Sequence, residues 1–152
     1  MAMMKMKGFT LAELLIVIVI LGILGGIALP RFYPQAEKAR VAEAVGMLSA
    51  IRQGELAYHL ETGSYKPLTS GSLENDWAVI GIEVPPLASA SPQPYFAYTV
   101  DVVASPPSAS AIATRTNKGL STGDSKISTT IILDNTGAWS GGANPHPNVP
   151  SN

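Results

Sequence analysis

The feature that most constrains this chain is an uncharged apolar run near its N-terminal end. The sixteen residues from Leu14 to Leu29 read LLIVIVILGILGGIAL and include no charged side chain. A helix that begins at Phe9 and includes this run would be about 31 Å long, at about 1.5 Å per residue. Because the hydrocarbon core of a bilayer is about 30 Å thick, the sequence predicts a membrane-spanning helix over residues 9–30.

One carboxylate, Glu13, falls near the N-terminal end of that predicted span. A charged side chain inside lipid costs about 2.5–3.5 kcal/mol on insertion scales, and such residues usually face a partner. We therefore predict that Glu13 is a functional residue and that its partner is a cation.

The composition excludes several classes of function. The chain has no cysteine, so it has no disulfide, no thiol nucleophile and no thiolate metal ligand. Its net charge is −1, and it has no basic stretch suited to a nucleic-acid backbone. Neither a glycine-rich phosphate loop nor a nucleophile–base pair is present. We expect a protein that is not an enzyme, with no cofactor and no nucleic-acid partner.

The nine residues Lys7–Leu15, KGFTLAELL, carry a more specific signal. They resemble the processing motif of type IV pilins and of the related pseudopilins of type II secretion. This resemblance implies that a prepilin peptidase cuts after Gly8, removes a leader of residues 1–8 and N-methylates Phe9. A secretory signal would instead be cut behind its apolar region. On hydropathy alone, an ordinary uncleaved anchor is the alternative.

The same resemblance implies how the protein assembles. A methylated amine on Phe9 stays protonated near neutral pH, and it would offset Glu13 of its own or a neighbouring subunit. Loss of one partner from a buried charge pair commonly costs about 3–5 kcal/mol, so such a pair would fix the height at which a subunit enters. The resemblance implies a homo-oligomer, with the N-terminal helices packed in the core of a helical filament.

Three glycines and a proline interrupt the apolar helix. Gly22, Gly25 and Gly26 suit close packing between helices, although glycine is also common in membrane helices generally. Pro30 lacks an N–H group and matches a helix-bending proline of the family, so we expect a kink or local melting there. Melting between Gly22 and Pro30 would let the helix stretch when subunits pack.

The orientation of the span does not follow from charge alone. Lys5 and Lys7 precede it, but three basic residues follow closely: Arg31, Lys38 and Arg40. The resemblance implies a single-pass inner-membrane precursor with a cytoplasmic N-terminus, which works with the peptidase and an inner-membrane assembly platform. The product would be an extracellular pilus or, for a pseudopilin, a periplasmic pseudopilus.

The remaining residues, 31–152, predict a globular head and an α+β, pilin-like fold. Residues 31–60 continue the helix in amphipathic form, with an apolar stripe at three- and four-residue spacing: Val41, Ala44, Val45, Leu48, Ile51 and Tyr58. Residues 61–94 predict a variable loop. Residues 95–152 predict a small antiparallel sheet and a tail, with strands at 95–103, 110–116 and 126–133, and a last short strand at 138–140.

Other candidate sites are weak. His59 lies four residues after Glu55, the spacing of a metal or proton-transfer pair, but a solvated histidine at a helix end is the simpler interpretation. His146 is expected to be exposed. Calcium needs several oxygen ligands in one loop, and residues 122–125 around Asp124 offer only part of one, as do Asp101 and Asp134. We expect no bound metal.

Two alternatives to a pilus subunit stay open. The nearer one is the major pseudopilin of a type II secretion system. The other, from a different class, is a membrane-anchored binding domain that never polymerises. Glu13 inside the span argues against it.

Overall fold

The fold is α+β, as the sequence predicts. The structure is a computed structural model that describes residues 8–151, and over residues 29–34 it describes the backbone alone. The elements in chain order are α1 (Leu11–Thr62), α2 (Glu74–Ala78), β1 (Phe96–Ala104), β2 (Pro107–Arg115), β3 (Thr130–Asp134) and β4 (Trp139–Ser140). The chain divides into two compact units, Met1–Lys38 and Ala39–Asn152. The second unit is called the head below.

The head is built around the amphipathic part of α1. Four residues of the predicted stripe are buried: Val41, Ala44, Leu48 and Ile51. Their neighbours in the core come from alternate positions of two strands, Ala109, Ala111 and Ala113 on β2 and Ile131 and Leu133 on β3. Glu55 lies about one helical turn after Ile51. It is also buried, although the sequence predicts an apolar stripe without it.

The sheet is a four-stranded antiparallel meander in the order β1-β2-β3-β4. Strands β1 and β2 pair from Phe96 opposite Arg115 to Ala104 opposite Pro107, so Ser105 and Pro106 form the turn between them. The segment between the strands predicted at 95–103 and 110–116 is therefore a tight hairpin. Pro107 begins β2, a position where a strand tolerates proline.

The strand predicted at 126–133 begins only at Thr130. Turn contacts occupy the residues before it: Asp124 Oδ1 accepts a bond from the Lys126 N–H at 2.9 Å, and Ser128 has a φ of 62°. A positive φ does not fit a regular strand, so the β-branched composition of this segment is overridden by its turn.

The long loop of the head packs closely against α1. Tyr65, Leu68, Trp77 and Ile80 are all buried, and Trp77 lies in α2, a short helix within the segment predicted as a variable loop. At Gly54 a Cβ atom would collide with the carbonyl oxygen of Ile80. Gly54 therefore allows the loop to approach the helix, a role that no sequence pattern marked.

The C-terminal tail is irregular, as predicted, but it is fixed by hydrogen bonds as well as by packing. The Thr130 hydroxyl donates to the Gly141 carbonyl at 2.5 Å, and the His146 N–H donates to the Thr130 carbonyl at 2.9 Å. His146 is 2% exposed and lies against Phe96, with ring centroids 5.9 Å apart. The expectation of an exposed His146 is wrong, because the tail folds back beside β3.

Candidate processing and assembly segment

The predicted cleavage point lies in extended, exposed chain just before α1. Gly8, Phe9 and Thr10 are non-helical and exposed, and Phe9 is 85% accessible. The helix begins at Leu11. The rest of the predicted leader, residues 1–7 with Lys5 and Lys7, lies outside the described residues.

Glu13 and Thr10 form a reciprocal cap at the start of α1. Oε2 of Glu13 accepts the Thr10 backbone N–H at 2.8 Å and the Thr10 hydroxyl at 2.9 Å. In return, Thr10 Oγ1 accepts the Glu13 N–H at 3.2 Å. This arrangement is a capping box, which satisfies two of the N–H groups that a helix start leaves without partners.

The cap gives Glu13 a second role that the sequence analysis missed. The signal was present, because Thr10-x-x-Glu13 before an apolar run is the capping-box pattern. The bonds described for Glu13 all use Oε2, and within residues 8–151 Oε1 accepts none. One carboxylate oxygen therefore fixes the side chain to the helix start, while the other is available to a cation.

The helix behind the cap is apolar on every side and uncovered. Residues Leu11–Ala28 are long and apolar enough to cross a membrane, and none of them is buried within the chain. Gly22, Gly25 and Gly26 each have open space where a Cβ would stand. A helix apolar all round is typical of a membrane span or of the core of a larger assembly.

The backbone is helical through Gly22–Pro30, and the side chain of Pro30 lies outside the described residues. The melting expected on packing concerns assembled subunits, and it stays a prediction.

His59 and Glu55, the candidate metal or proton-transfer pair of the head, each contact other parts of the protein. His59 stacks on Tyr65, with ring centroids 4.2 Å apart and an interplanar angle of 9°, so it is not simply solvated. Glu55 Oε2 accepts the Lys66 N–H at 2.9 Å, while its Oε1 is buried without a hydrogen bond. Burial raises the pKa of Glu55, and the bond from Lys66 only partly offsets this.

Two of the three candidate calcium ligands, Asp124 and Asp134, are occupied by the protein itself. Lys126 Nζ lies 3.3 Å from Asp124 Oδ1, and Asp134 Oδ1 accepts bonds from Thr136 and from the Ala138 N–H. In the described part of the chain, no three His, Cys, Asp or Glu side chains gather in a metal-binding arrangement.

Among known proteins, one family model matches the N-terminal part of this chain. The family model described as the prokaryotic N-terminal methylation motif matches residues 3–29, which contain Gly8, Phe9, Glu13 and the apolar helix. The chain is also similar to type IV pilins and to a type II secretion core protein, so the resemblance seen in the sequence is confirmed.

Individual relatives extend the likeness into the head. The chain is 37% identical to the type IV major pilin protein PilE of Neisseria gonorrhoeae, over 49% of this chain and 46% of that protein. It is 36% identical to the type II secretion system core protein G of Escherichia coli, over 56% and 57% of the two chains. It is 48% identical to the type IV narrow pilus major component PilA5 of Thermus thermophilus, over 39% and 48%.

The chain thus spans about half the length of the curated relatives it matches. No solved structure gives a significant match.

Proposed function

We propose that this protein is the structural subunit of a type IV pilus-like filament. In this proposal it is cut after Gly8, methylated at Phe9 and polymerised through its N-terminal helix. One observation carries it: the methylation motif contains an exposed helix, Leu11–Ala28, that is apolar apart from a single capped carboxylate, Glu13, at its start.

The geometry leaves an acceptor available close to the amine that cleavage would create. Cleavage would put a cation on Phe9, the residue before Thr10, whose N–H lies 2.8 Å from Glu13 Oε2. Glu13 Oε1 is then available to the amine of the same subunit or of a neighbour. The cap lowers the cost of holding the carboxylate in an apolar core, and the pairing aligns subunits in height.

The proposal includes a membrane stage. The apolar helix and the pilin homologues fit a membrane-anchored precursor. We infer a cytoplasmic N-terminus, processing by a prepilin peptidase, assembly on an inner-membrane platform, and no enzymatic activity or bound cofactor.

The test is the intact mass of the protein in filaments sheared from the cell surface. A mass that begins at methylated Phe9 is expected. If every fraction contains only a mass that begins at Met1, processing is refuted and an anchored domain that does not polymerise is favoured.

A second candidate is a type II secretion pseudopilin. The likeness to core protein G covers a larger share of both chains than the likeness to PilE, which favours it. The same experiment separates the two, because a pseudopilin of the processed mass would be found in the cell envelope and not in sheared surface filaments.

A further inference from the structure

At one end of the head's helix, three cations surround a single aromatic ring. The guanidinium carbon of Arg40 lies 4.2 Å from the centroid of Tyr95, Lys118 Nζ lies 4.4 Å from it, and the guanidinium of Arg115 lies 5.3 Å from it. Cation–π contacts of this kind hold positive charge close to an apolar surface. This group is called the Tyr95 cluster below.

A groove lies beside the Tyr95 cluster, with a volume of about 360 Å³. Its walls are mainly apolar, and they include Met47, Pro86, Pro92, Pro94 and Tyr98. Two charged side chains also line it, Lys118 and Glu43. Lys118, whose ammonium nitrogen lies 4.4 Å from the Tyr95 centroid, supplies the positive charge of the groove lining.

Lys118 differs from the other two lysines of the head. Lys66 Nζ lies 3.0 Å from Asp76, and Lys126 Nζ lies 3.3 Å from Asp124. Within residues 8–151, Lys118 has no such carboxylate. Its ammonium group is therefore available to an acid from outside the subunit.

The opposite end of the helix has the complementary character. Leu60 is 87% exposed, more than any other large apolar side chain of the described chain, and the next residue is the exposed Glu61. Leu73 and Glu74 repeat this pattern of an exposed leucine followed by an exposed glutamate. Lys66 connects α2 to this end of the helix, since its N–H bonds to Glu55 and its ammonium group pairs with Asp76. Glu61 and Glu74 make no hydrogen bond or ion pair within residues 8–151.

The two ends cannot meet within one subunit. Arg40 and Glu61 are 21 positions apart on one helix, which is about 31 Å at about 1.5 Å per residue. Complementary patches at different places on one surface make a heterologous contact between copies. Such contacts propagate into rings or open helical filaments.

We propose that the Leu60–Glu61 end of one subunit docks in the Tyr95 groove of the next. Leu60 enters between Met47 and the prolines, and Glu61 pairs with Lys118. The inference rests on the proposed function, and it adds a contact between heads to the packing of the N-terminal helices. Other exposed acids fit less well: Glu83 and Asp101 do not follow a highly exposed leucine.

The first test uses the absence of native cysteines. Filaments of a Lys118→Cys, Glu61→Cys variant are treated with a short bis-maleimide and run on a denaturing gel. A ladder of dimers, trimers and longer species is expected, since each subunit presents both partners of the contact. A matched Lys118→Cys, Asp101→Cys variant should stay monomeric.

The second test is a charge exchange. Lys118→Glu and Glu61→Lys should each lower filament yield roughly fivefold, the effect of a surface charge pair at the upper end of the usual range. The double variant should recover most of that yield. Glu83→Lys serves as the control, with yield unchanged.

The outcomes separate this contact from the proposed function. Filaments that form normally but give no ladder, or give an equal ladder in the Asp101 control, overturn the contact and leave the filament subunit standing. Single charge variants that assemble like the wild type overturn it as well. An absence of filaments from the wild-type protein overturns both proposals.

Discussion

The two parts of α1 use the same secondary structure for opposite purposes. Over Leu11–Ala28 the helix is apolar on all sides and has no burial within the chain. Over the head, only one face is apolar, and Ala44, Leu48 and Ile51 are fully buried. The head thus completes its own core, whereas the N-terminal helix needs lipid or other copies to cover it.

The glycines of α1 show the same contrast. Gly22, Gly25 and Gly26 have open space around them, where another helix could approach. Gly54 already has its neighbour, because the Ile80 carbonyl occupies the position of a Cβ. Gly46 lies on the exposed face of the same helical segment, and a Cβ added there would meet no other atom. A small residue thus serves a contact within the chain at Gly54, whereas at Gly22, Gly25 and Gly26 we expect it to serve contacts between chains.

Substitutions of Glu13 should distinguish the two parts of α1 most clearly. Glu13→Ala should leave the head folded but lower filament yield by more than about a hundredfold, from the roughly 3–5 kcal/mol lost when a buried charge loses its partner. Glu13→Gln keeps an oxygen for the Thr10 cap and removes the charge, so it should fail in the same way. Filament mass per cell measures both, and normal yield from the glutamine variant would assign Glu13 to capping alone.

The next effect concerns the core of the head. Gly54→Ala should destabilise the full-length protein in detergent by about 1–3 kcal/mol, the usual cost of overpacking. Gly46→Ala is the matched control, and it should be neutral or stabilising by about 0.5–1 kcal/mol because alanine favours helix. Urea denaturation followed by tryptophan fluorescence measures both. Equal stability of the two variants would contradict the packing of Ile80 on Gly54.

A smaller effect should depend on pH. Because burial raises the folded-state pKa of Glu55 above its ordinary value of 4.5, its stabilising contribution is complete below that value and is lost as pH rises through the raised one. Because glutamine cannot ionise, Glu55→Gln should remove this loss and make the head more stable than the wild type at neutral pH. Glu61→Gln, exposed on the same helix, should leave the profile unchanged. Denaturation midpoints from pH 4 upward test this, and parallel profiles for wild type and Glu55→Gln would refute it.

The smallest effect is expected in the tail. Thr130→Val removes the hydroxyl that bonds to the Gly141 and Asn144 carbonyls, at a cost of about 1 kcal/mol. It should also speed proteolysis after residue 140. The control is Thr114→Val at the position opposite Thr130 in the sheet, where no side-chain bond is described. Cleavage rates that match between the two variants would mean that packing alone holds the tail.

Patterns that depend on neighbours in the sequence were predictable. The apolar run and the stripe from Val41 to Ile51 both follow local composition and periodicity, and the structure confirms them as an uncovered helix and a buried face. The capping box of Thr10 and Glu13 was equally local, and the pattern was present in the sequence.

Contacts between distant residues were not predictable. Nothing in the sequence places His146 on Phe96, Ile80 on Gly54 or Asn135 within 3.2 Å of the Arg52 side chain. The strand before Thr130 was overpredicted for the converse reason. Its composition favours a strand, but the turn at Asp124–Ser128 fixes the backbone first.

The sequence by itself determined the exposed N-terminal helix, its motif and the one carboxylate at its start, because these depend on composition and on spacing within a few residues. Tertiary structure decided the burial of Glu55 and His146, the close approach at Gly54, and the groove beside Tyr95 at the opposite end of the head's helix from Leu60. Each of these needs side chains from segments far apart in the chain to meet. Only the folded backbone brings those segments together.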